Sequence, residues 1–541
     1  MKLLILAGAV SLLVATLRWI YQRFTRISIR HVRGPPNVSF WLGNLPEYHQ
    51  NQVGETDFKW MDLYGGIVKY KAPFGEDRLM ISDAKALQYI FQTAGYNFPK
   101  VPERRELSRI ITGRGILYAE ADDHKRHRKV MLPGFGGPEA KSFHPIFLRC
   151  AEQMSSKWQD IINASPNQAS VLNIPPWASR AMLDAIGQAA FDYNFGALDD
   201  ANNELNKAYS NLLKDTFQVL SRSSAAIFVQ NLWAYLPLKV LHFVANHSPA
   251  MTMHHARYCE RVATDIARDL VKEKADALLE GKGKRDIMSL LVKANASEDP
   301  NRQLDEQELY DQMRTIMLAG HETTANTLSW ALLELTSHPD MQRRLREEIW
   351  EKQRELGGSD IQPADFDSMP YLTAITKEVL RYHPVAPMTQ RMAGRDDVLP
   401  LAMPIILTTG ERVHELPVSK GTKFILSIAG YNRNKDVFGA DAQVFNPDRW
   451  LGESKASVNV GVYANLLTFS AGIRGCIGFR FAIIELQTFL VELLSKFEFT
   501  STPELSKLRR EPCGVMAPTI DGQQDDDAQL PLLVKCIPRI D

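Results

Sequence analysis

The chain has 541 residues, 45% of them hydrophobic, with 63 basic and 63 acidic side chains and a formal net charge of zero. That length and apolar content support a large buried core, and the balanced charge argues against a nucleic-acid partner. The five cysteines are widely spaced and do not form the pattern of a disulfide framework.

The N-terminus differs in kind from the rest. Leu3 to Leu17 is apolar or small throughout, and Trp19, Ile20 and Tyr21 extend the run past Arg18. A run of about 19 residues at ~1.5 Å per residue is enough for one slightly tilted membrane crossing. Arg18, Arg23, Arg26, Arg30 and Arg33 follow with no acidic residue among them, and only Lys2 precedes the run. This asymmetry predicts a cytosolic bulk. The charge lies on the wrong side for a cleaved signal peptide, and no small-x-small site precedes a polar segment. Residues 1–21 are therefore expected to anchor the chain in a lipid bilayer as a single pass. The sequons at Asn37, Asn163, Asn246 and Asn295 would then stay unmodified. Residues 22–46 form a basic hinge that Gly34-Pro35-Pro36 breaks and stiffens, and residues 47–541 form the globular domain.

Gly66 to Asp83 alternates apolar and polar residues and is punctuated by Pro73 and Gly75, which predicts a β-hairpin. Helical periodicity follows over 141–162, 177–192, 203–223, 252–280, 305–337 and 340–356, with strand-like stretches at 398–428 and 529–538. The expected fold class is mainly α, with small peripheral sheets and no internal repeat.

His124-Lys125-Arg126-His127-Arg128-Lys129 opens a basic helix on which His124 and Arg128, four apart, share a face. Lys125, Arg126 and Lys129 could present positive charge to an acidic protein partner. In the middle of the 305–337 helix stands Ala319-Gly320-His321-Glu322-Thr323-Thr324. Gly, a buried acid and two β-branched hydroxyl residues are poor helix formers, and such a local conflict marks function and predicts a kink. A threonine hydroxyl can return to the preceding turn or hold water, and Gly320 would let a ligand approach the backbone. Glu378 and Arg381, three apart, share a helix face, a pair that if exposed contributes only ~0.3 kcal/mol.

The densest signal is Phe469-Ser470-Ala471-Gly472-Ile473-Arg474-Gly475-Cys476-Ile477-Gly478, followed at once by an amphipathic helical pattern. A lone cysteine just before a helix N-terminus is placed to be a thiolate. Its glycines admit a flat, bulky ligand, and Arg474 offers a cation to a carboxylate. One cysteine does not suit zinc; it suits an axial thiolate on haem iron. Cys150, Cys259, Cys513 and Cys536 read as small core hydrophobes.

Phe-x-x-Gly-x-Arg-x-Cys-x-Gly resembles the haem-binding signature of cytochromes P450 at every fixed position, and the other motifs occur in that family's order. The resemblance implies the P450 fold, haem b as cofactor and Cys476 as the metal ligand, with Phe469, Gly472 and Arg474 contacting the cofactor. His124, Arg128 and Arg391 fall where the family binds haem propionates, although His124 replaces the commoner Trp. Glu322 and Thr323 resemble the acid–alcohol pair that delivers protons during dioxygen reduction. Glu378 and Arg381, with Arg449 of Phe445-Asn446-Pro447-Asp448-Arg449-Trp450, resemble a buried structural network behind the haem loop. The anchor resembles that of microsomal members, implying a cytosolic catalytic domain on the endoplasmic reticulum membrane. No nicotinamide or flavin fingerprint is present, so electrons are expected from NADPH through NADPH–cytochrome P450 reductase. The sequence is similar in style to fungal secondary-metabolism P450 monooxygenases, which implies O2 as co-substrate and a lipophilic small molecule, a terpenoid, as substrate. A haem-thiolate isomerase or dehydratase, or a non-catalytic haem-binding membrane protein, is the alternative; Glu322-Thr323 argues against both.

Overall fold

The computed structural model describes residues 27–200, 202–217, 222–248, 251–280, 286–295, 303–452, 458–524 and 526–538. The predicted anchor, residues 1–21, and the start of the hinge lie outside the described residues. Among those described, no helix is long and apolar enough to cross a membrane.

Helices dominate, as expected. The centre is the helix Glu306–Ser337, which packs along Ile174–Phe191 and against Phe479–Lys496. It starts where the sequence places it because Asp305 and Glu308 form a capping box. Glu308 also receives Arg126 Nη1 at 2.7 Å, tying that start to the helix Ala121–Met131. The predicted kink is absent: the helix runs unbroken through residues 319–324. Thr315, Thr323, Thr327 and Ser329 each donate to the carbonyl four residues back, at 2.7–2.8 Å, so these poor helix formers are absorbed by the ladder.

Eleven strands among the described residues make four small sheets. β1 (Ile67–Lys71) and β2 (Asp77–Ile81) form the predicted hairpin, and β3 is Ala169–Asn173. β4 (Met388–Met392), β5 (Asp397–Ile406), β6 (Arg412–Val418) and β7 (Lys423–Ser427) follow. The largest sheet has the order β1-β2-β7-β4, with β2 and β7 parallel. β8 (Phe497–Thr500), β9 (Leu508–Cys513), β10 (Val515–Ile520) and β11 (Pro531–Cys536) lie near the C-terminus, where β9 and β10 form a hairpin.

Two predicted helices are divided. The 203–223 pattern splits into Glu204–Tyr209 and Leu212–Phe217 at Asn211, whose φ of +56° is left-handed. Asparagine tolerates that conformation, and Asn211 Nδ2 is held there by Asp527 Oδ1 at 2.6 Å. The 141–162 pattern breaks at Phe143 into Gly137–Ser142 and His144–Asn163 because Pro145 fits only a first turn.

Candidate active site

Cys476 sits between a short 3₁₀ turn, Gly472–Arg474, and the helix Phe479–Lys496. Its N–H donates to Phe469 O at 2.8 Å, and Gly475 N–H closes the turn on Gly472 O at 3.0 Å. Gly472 has φ +58°, and a Cβ there would lie 2.0 Å from Phe91 O. That glycine therefore serves the turn and its close contact with residue 91.

Of the five cysteines, Cys476 alone is exposed; Cys150, Cys259 and Cys513 are buried and Cys536 is partly so. Water can reach Cys476, yet protein surrounds the sulfur. Burial accordingly pushes its thiol up, while the Gly478 N–H and the Arg128 cation pull it down. A second opening lies on the long helix. Its residues are buried from Leu309 to Leu318, then Ala319 is exposed and Gly320 and Thr323 are partly so. Ala319 and Thr323, four apart, share that open face.

Gly320 also serves the packing of two helices. A Cβ there would come 2.6 Å from Ile186 Cγ1, so the missing side chain lets the helix Ile174–Phe191 cross closely. Next to it, Glu322 is 8% exposed and its Oε2 has no hydrogen-bond partner. Burial, with Asp215 adding to it, pushes this carboxyl up to about 8. Burial holds His321 down at about 4, and its Nδ1 bonds to Met317 O at 2.6 Å. Thr323 Oγ1 donates to Ala319 O at 2.7 Å.

Cations crowd one rim. Arg474 Nη2 pairs with Glu120 Oε2 at 2.5 Å and Nη1 donates to Gly95 O at 2.6 Å, while its Nε is buried without a partner. Arg128 Nη1 donates to Gly475 O at 2.8 Å. His124 Nδ1 bonds to the Tyr96 hydroxyl at 3.0 Å. Arg391 lies on β4, paired by a backbone bridge to Lys100, and donates to Thr389 Oγ1 at 2.9 Å. Lys100 Nζ donates to Leu117 O at 2.6 Å and Ala119 O at 2.8 Å, with Glu120 at 3.8 Å. Burial and the neighbouring cations hold His124 at about 3, Lys100 at about 7 and Arg391 at about 10. Among the described residues, Glu120 is the one carboxylate that these groups share. The structure thus brings His124, Arg128, Arg391 and Arg474 together and adds Lys100, Tyr96 and Glu120, which no sequence motif marked.

The network of Glu378, Arg381 and Arg449 forms as expected. Glu378 and Arg381 are 0% exposed and pair at 2.7 Å. Glu378 also accepts from Arg449 Nε at 3.2 Å, Trp450 Nε1 at 2.9 Å and Asn446 N at 2.7 Å. Arg381 donates to Asn432 O at 3.0 Å, and Asn432 in turn holds Leu467 N at 3.0 Å and Thr468 Oγ1 at 2.8 Å. The network therefore fixes the chain at the point where the cysteine loop begins.

The donor set fits a haem. One cysteine sulfur stands open in a turn before a helix, the long helix carries an open face of small residues, and a rim with excess positive charge and an orphaned guanidinium N–H suits two propionates. A family model described as Cytochrome P450 matches residues 33–523. Cytochrome P450 monooxygenase 205 of Postia placenta is 31% identical over 99% of this chain and 98% of its own. Cytochrome P450 monooxygenase claW of Ampulloclitocybe clavipes is 30% identical, covering 94% of this chain and 93% of its own.

Proposed function

Since the chain belongs to the cytochrome P450 family and is a monooxygenase, we propose that it oxygenates a lipophilic small molecule, a terpenoid, with electrons from NADPH through NADPH–cytochrome P450 reductase. Haem b held through Cys476 would supply dioxygen activation and transfer of one oxygen atom, the other leaving as water. Arg128, Arg391, Arg474, His124 and Lys100 would bind and orient the propionates. Glu322 would store a proton in the apolar core, because its raised affinity keeps the carboxyl neutral at ordinary pH. Thr323, next in sequence, would turn its hydroxyl from Ala319 O into the open space and pass that proton on. Glu378, Arg381 and Arg449 would hold the loop from behind.

The observation that carries this reading is Cys476, the one exposed cysteine, in the turn that enters the helix Phe479–Lys496, with the open Ala319–Thr323 face on the long helix that packs against that same helix. The reduced, carbon-monoxide-bound protein should show the thiolate-type red-shifted Soret band. Cys476→Ala should abolish it, and a normal band in that variant would refute the ligand. Thr323→Ala should load haem yet divert NADPH oxidation to peroxide; unchanged coupling to product would remove Thr323 from the proton path. Co-expression with a reductase in a host fed candidate terpenoids tests the substrate class.

An anchor at residues 1–21 would place the enzyme on the endoplasmic reticulum membrane with its catalytic domain in the cytosol. An aromatic patch near the hinge supports that placement. Phe40, Trp41 and Tyr235 are exposed, and Phe74 joins them at 5.6–6.1 Å between ring centres. Amphipathic rings of this kind suit a headgroup layer.

A further inference from the structure

A cavity of about 360 Å³ lies among the helices His144–Asn163 and Phe479–Lys496, the loop 358–361 and the end of β11. That volume is enough for a small organic ligand, for which clefts start at ~300 Å³. On the helix Phe479–Lys496 the lining begins at Thr488, about 14 Å along from the end that carries the cysteine loop. No sequence motif marks this place, and oxygen transfer makes no use of it.

Its charge is one-sided. Three carboxylates line it, Glu152, Asp360 and Glu492, against one cation, Lys496. Lys496 is already committed: its Nζ pairs with Glu492 Oε1 at 2.5 Å, and the Ser155 hydroxyl donates to the same oxygen. Among the described residues the side chains of Glu152 and Asp360 make no hydrogen bond and no ion pair. Burial first, then Glu492, pushes the Glu152 carboxyl up; Lys496 opposes them and Asp360 adds to them. The like charges therefore feel one another across the cavity.

A buried histidine points to a ligand independently of those charges. His144 is 2% exposed, lines the cavity and meets the Phe366 ring edge-on at 6.0 Å between ring centres. Neither ring nitrogen has a hydrogen-bond partner among the described residues; Nδ1 is sealed from water and Nε2 is not. Buried polar groups are nearly always partnered. Burial holds the imidazole below its usual range, with Asp360 opposing, so the ring is neutral at pH 7. A neutral imidazole has one acceptor nitrogen, and Nε2 is the one that the cavity reaches.

The acids are spread rather than converged. Among the described residues no three His, Cys, Asp or Glu side chains stand where they could hold a metal ion. A ligand with positive charge at two places matches this wall better than a point cation does. Leu148, Ile361 and Val491 line the same cavity and offer contact to an apolar chain.

We infer that this cavity binds a short linear diammonium ion. One ammonium pairs with Glu152, the other pairs with Asp360 and donates to His144 Nε2, and the methylene chain lies on Leu148, Ile361 and Val491.

The test uses the haem-loaded, full-length enzyme in detergent at fixed ionic strength, with binding followed by calorimetry. The probes are cadaverine, pentylamine and magnesium chloride. Cadaverine should bind about fivefold or more tighter than pentylamine, and magnesium should not displace it. Glu152→Gln and Asp360→Asn should each weaken cadaverine by about fivefold. His144→Phe keeps a ring against Phe366 and should weaken it by about tenfold. No binding of cadaverine overturns the inference. So does pentylamine binding as tightly, magnesium displacing cadaverine, or full cadaverine affinity in any of the three variants. The carbon-monoxide band reports whether each variant is folded; where one is not, cadaverine against pentylamine in the wild type decides.

Discussion

Glu322→Gln replaces a buried acid with a neutral side chain of the same shape, and the pH dependence of the change tests whether the site stores a proton. Burial pushes the Glu322 carboxyl up from 4.5 to about 8 in the fold. The unfolded chain returns it to an ordinary glutamate. Between those two values the folded protein holds one proton more than the unfolded protein, so wild-type stability falls as pH rises. A rise of about 3.5 units at about 1.4 kcal/mol each makes the loss about 5 kcal/mol, absent below pH 4.5 and complete above about pH 8. Glutamine does not titrate, so the stability difference between variant and wild type should open across that window, while other groups cancel. Denaturant unfolding of both proteins over the range reads it. The infrared band of a protonated carboxyl, titrating near pH 8 in the wild type and missing in the variant, reads the same proton directly. Glu485, whose carboxyl burial also pushes well up beside the Thr324 hydroxyl, keeps its band in both proteins. A difference that stays flat with pH would mean that Glu322 is ionised in the fold and has no proton to give.

Two further changes test the frame around the site. Gly320→Ala should cost about 1–3 kcal/mol by forcing a Cβ against Ile186. Ile186→Ala should recover part of that cost, giving a favourable coupling in a double-mutant cycle; strict additivity would return Gly320 to a ligand-facing role. Glu378→Gln should cost about 3–5 kcal/mol, because Arg381 and Arg449 lose their shared counter-charge in a site that is 0% exposed at Glu378. Haem retention should fall with it, since Asn432 and Thr468 carry the strain to the cysteine loop; full retention would uncouple the network from that loop.

The long helix was legible to within a residue because its cap and its apolar density lie in one continuous stretch. The break at Asn211 was not, because an asparagine that takes up a left-handed φ looks the same in sequence as one inside a helix. Gly320 was seen but not its packing role: a missing side chain serves a ligand or a crossing helix equally, and only the fold brings Ile186 against it. The spacing of Glu378 and Arg381 announced a pair, but not its depth. That depth comes from the carbonyls of Asn432, Ala442 and Val444, all far along the chain. Lys100 and Glu120 had no motif at all. Their significance arises only when β4 lays Arg391 beside Lys100 and the loop swings Arg474 onto Glu120.

That last group has a thermodynamic consequence of its own. Burial first, then Arg391, Arg474 and Arg105, hold Lys100 down at about 7, and Glu120 alone opposes them. His124 adds no charge there, since it is neutral above about 3. A propionate held at this rim would bring negative charge and raise the Lys100 affinity for a proton, so binding would take up a proton from about pH 7 up to that raised affinity. By linkage, haem should be held less tightly as pH rises from 7, by up to about tenfold per unit. Haem release measured at pH 6, 7 and 8 should therefore quicken over the upper interval and not the lower. Lys100→Arg, charged throughout, should flatten the curve at the tight end, and Lys100→Met should flatten it at the weak end. Wild-type pH dependence surviving in Lys100→Met would assign the titration to another group and leave Lys100 as a prop for the 116–119 carbonyls.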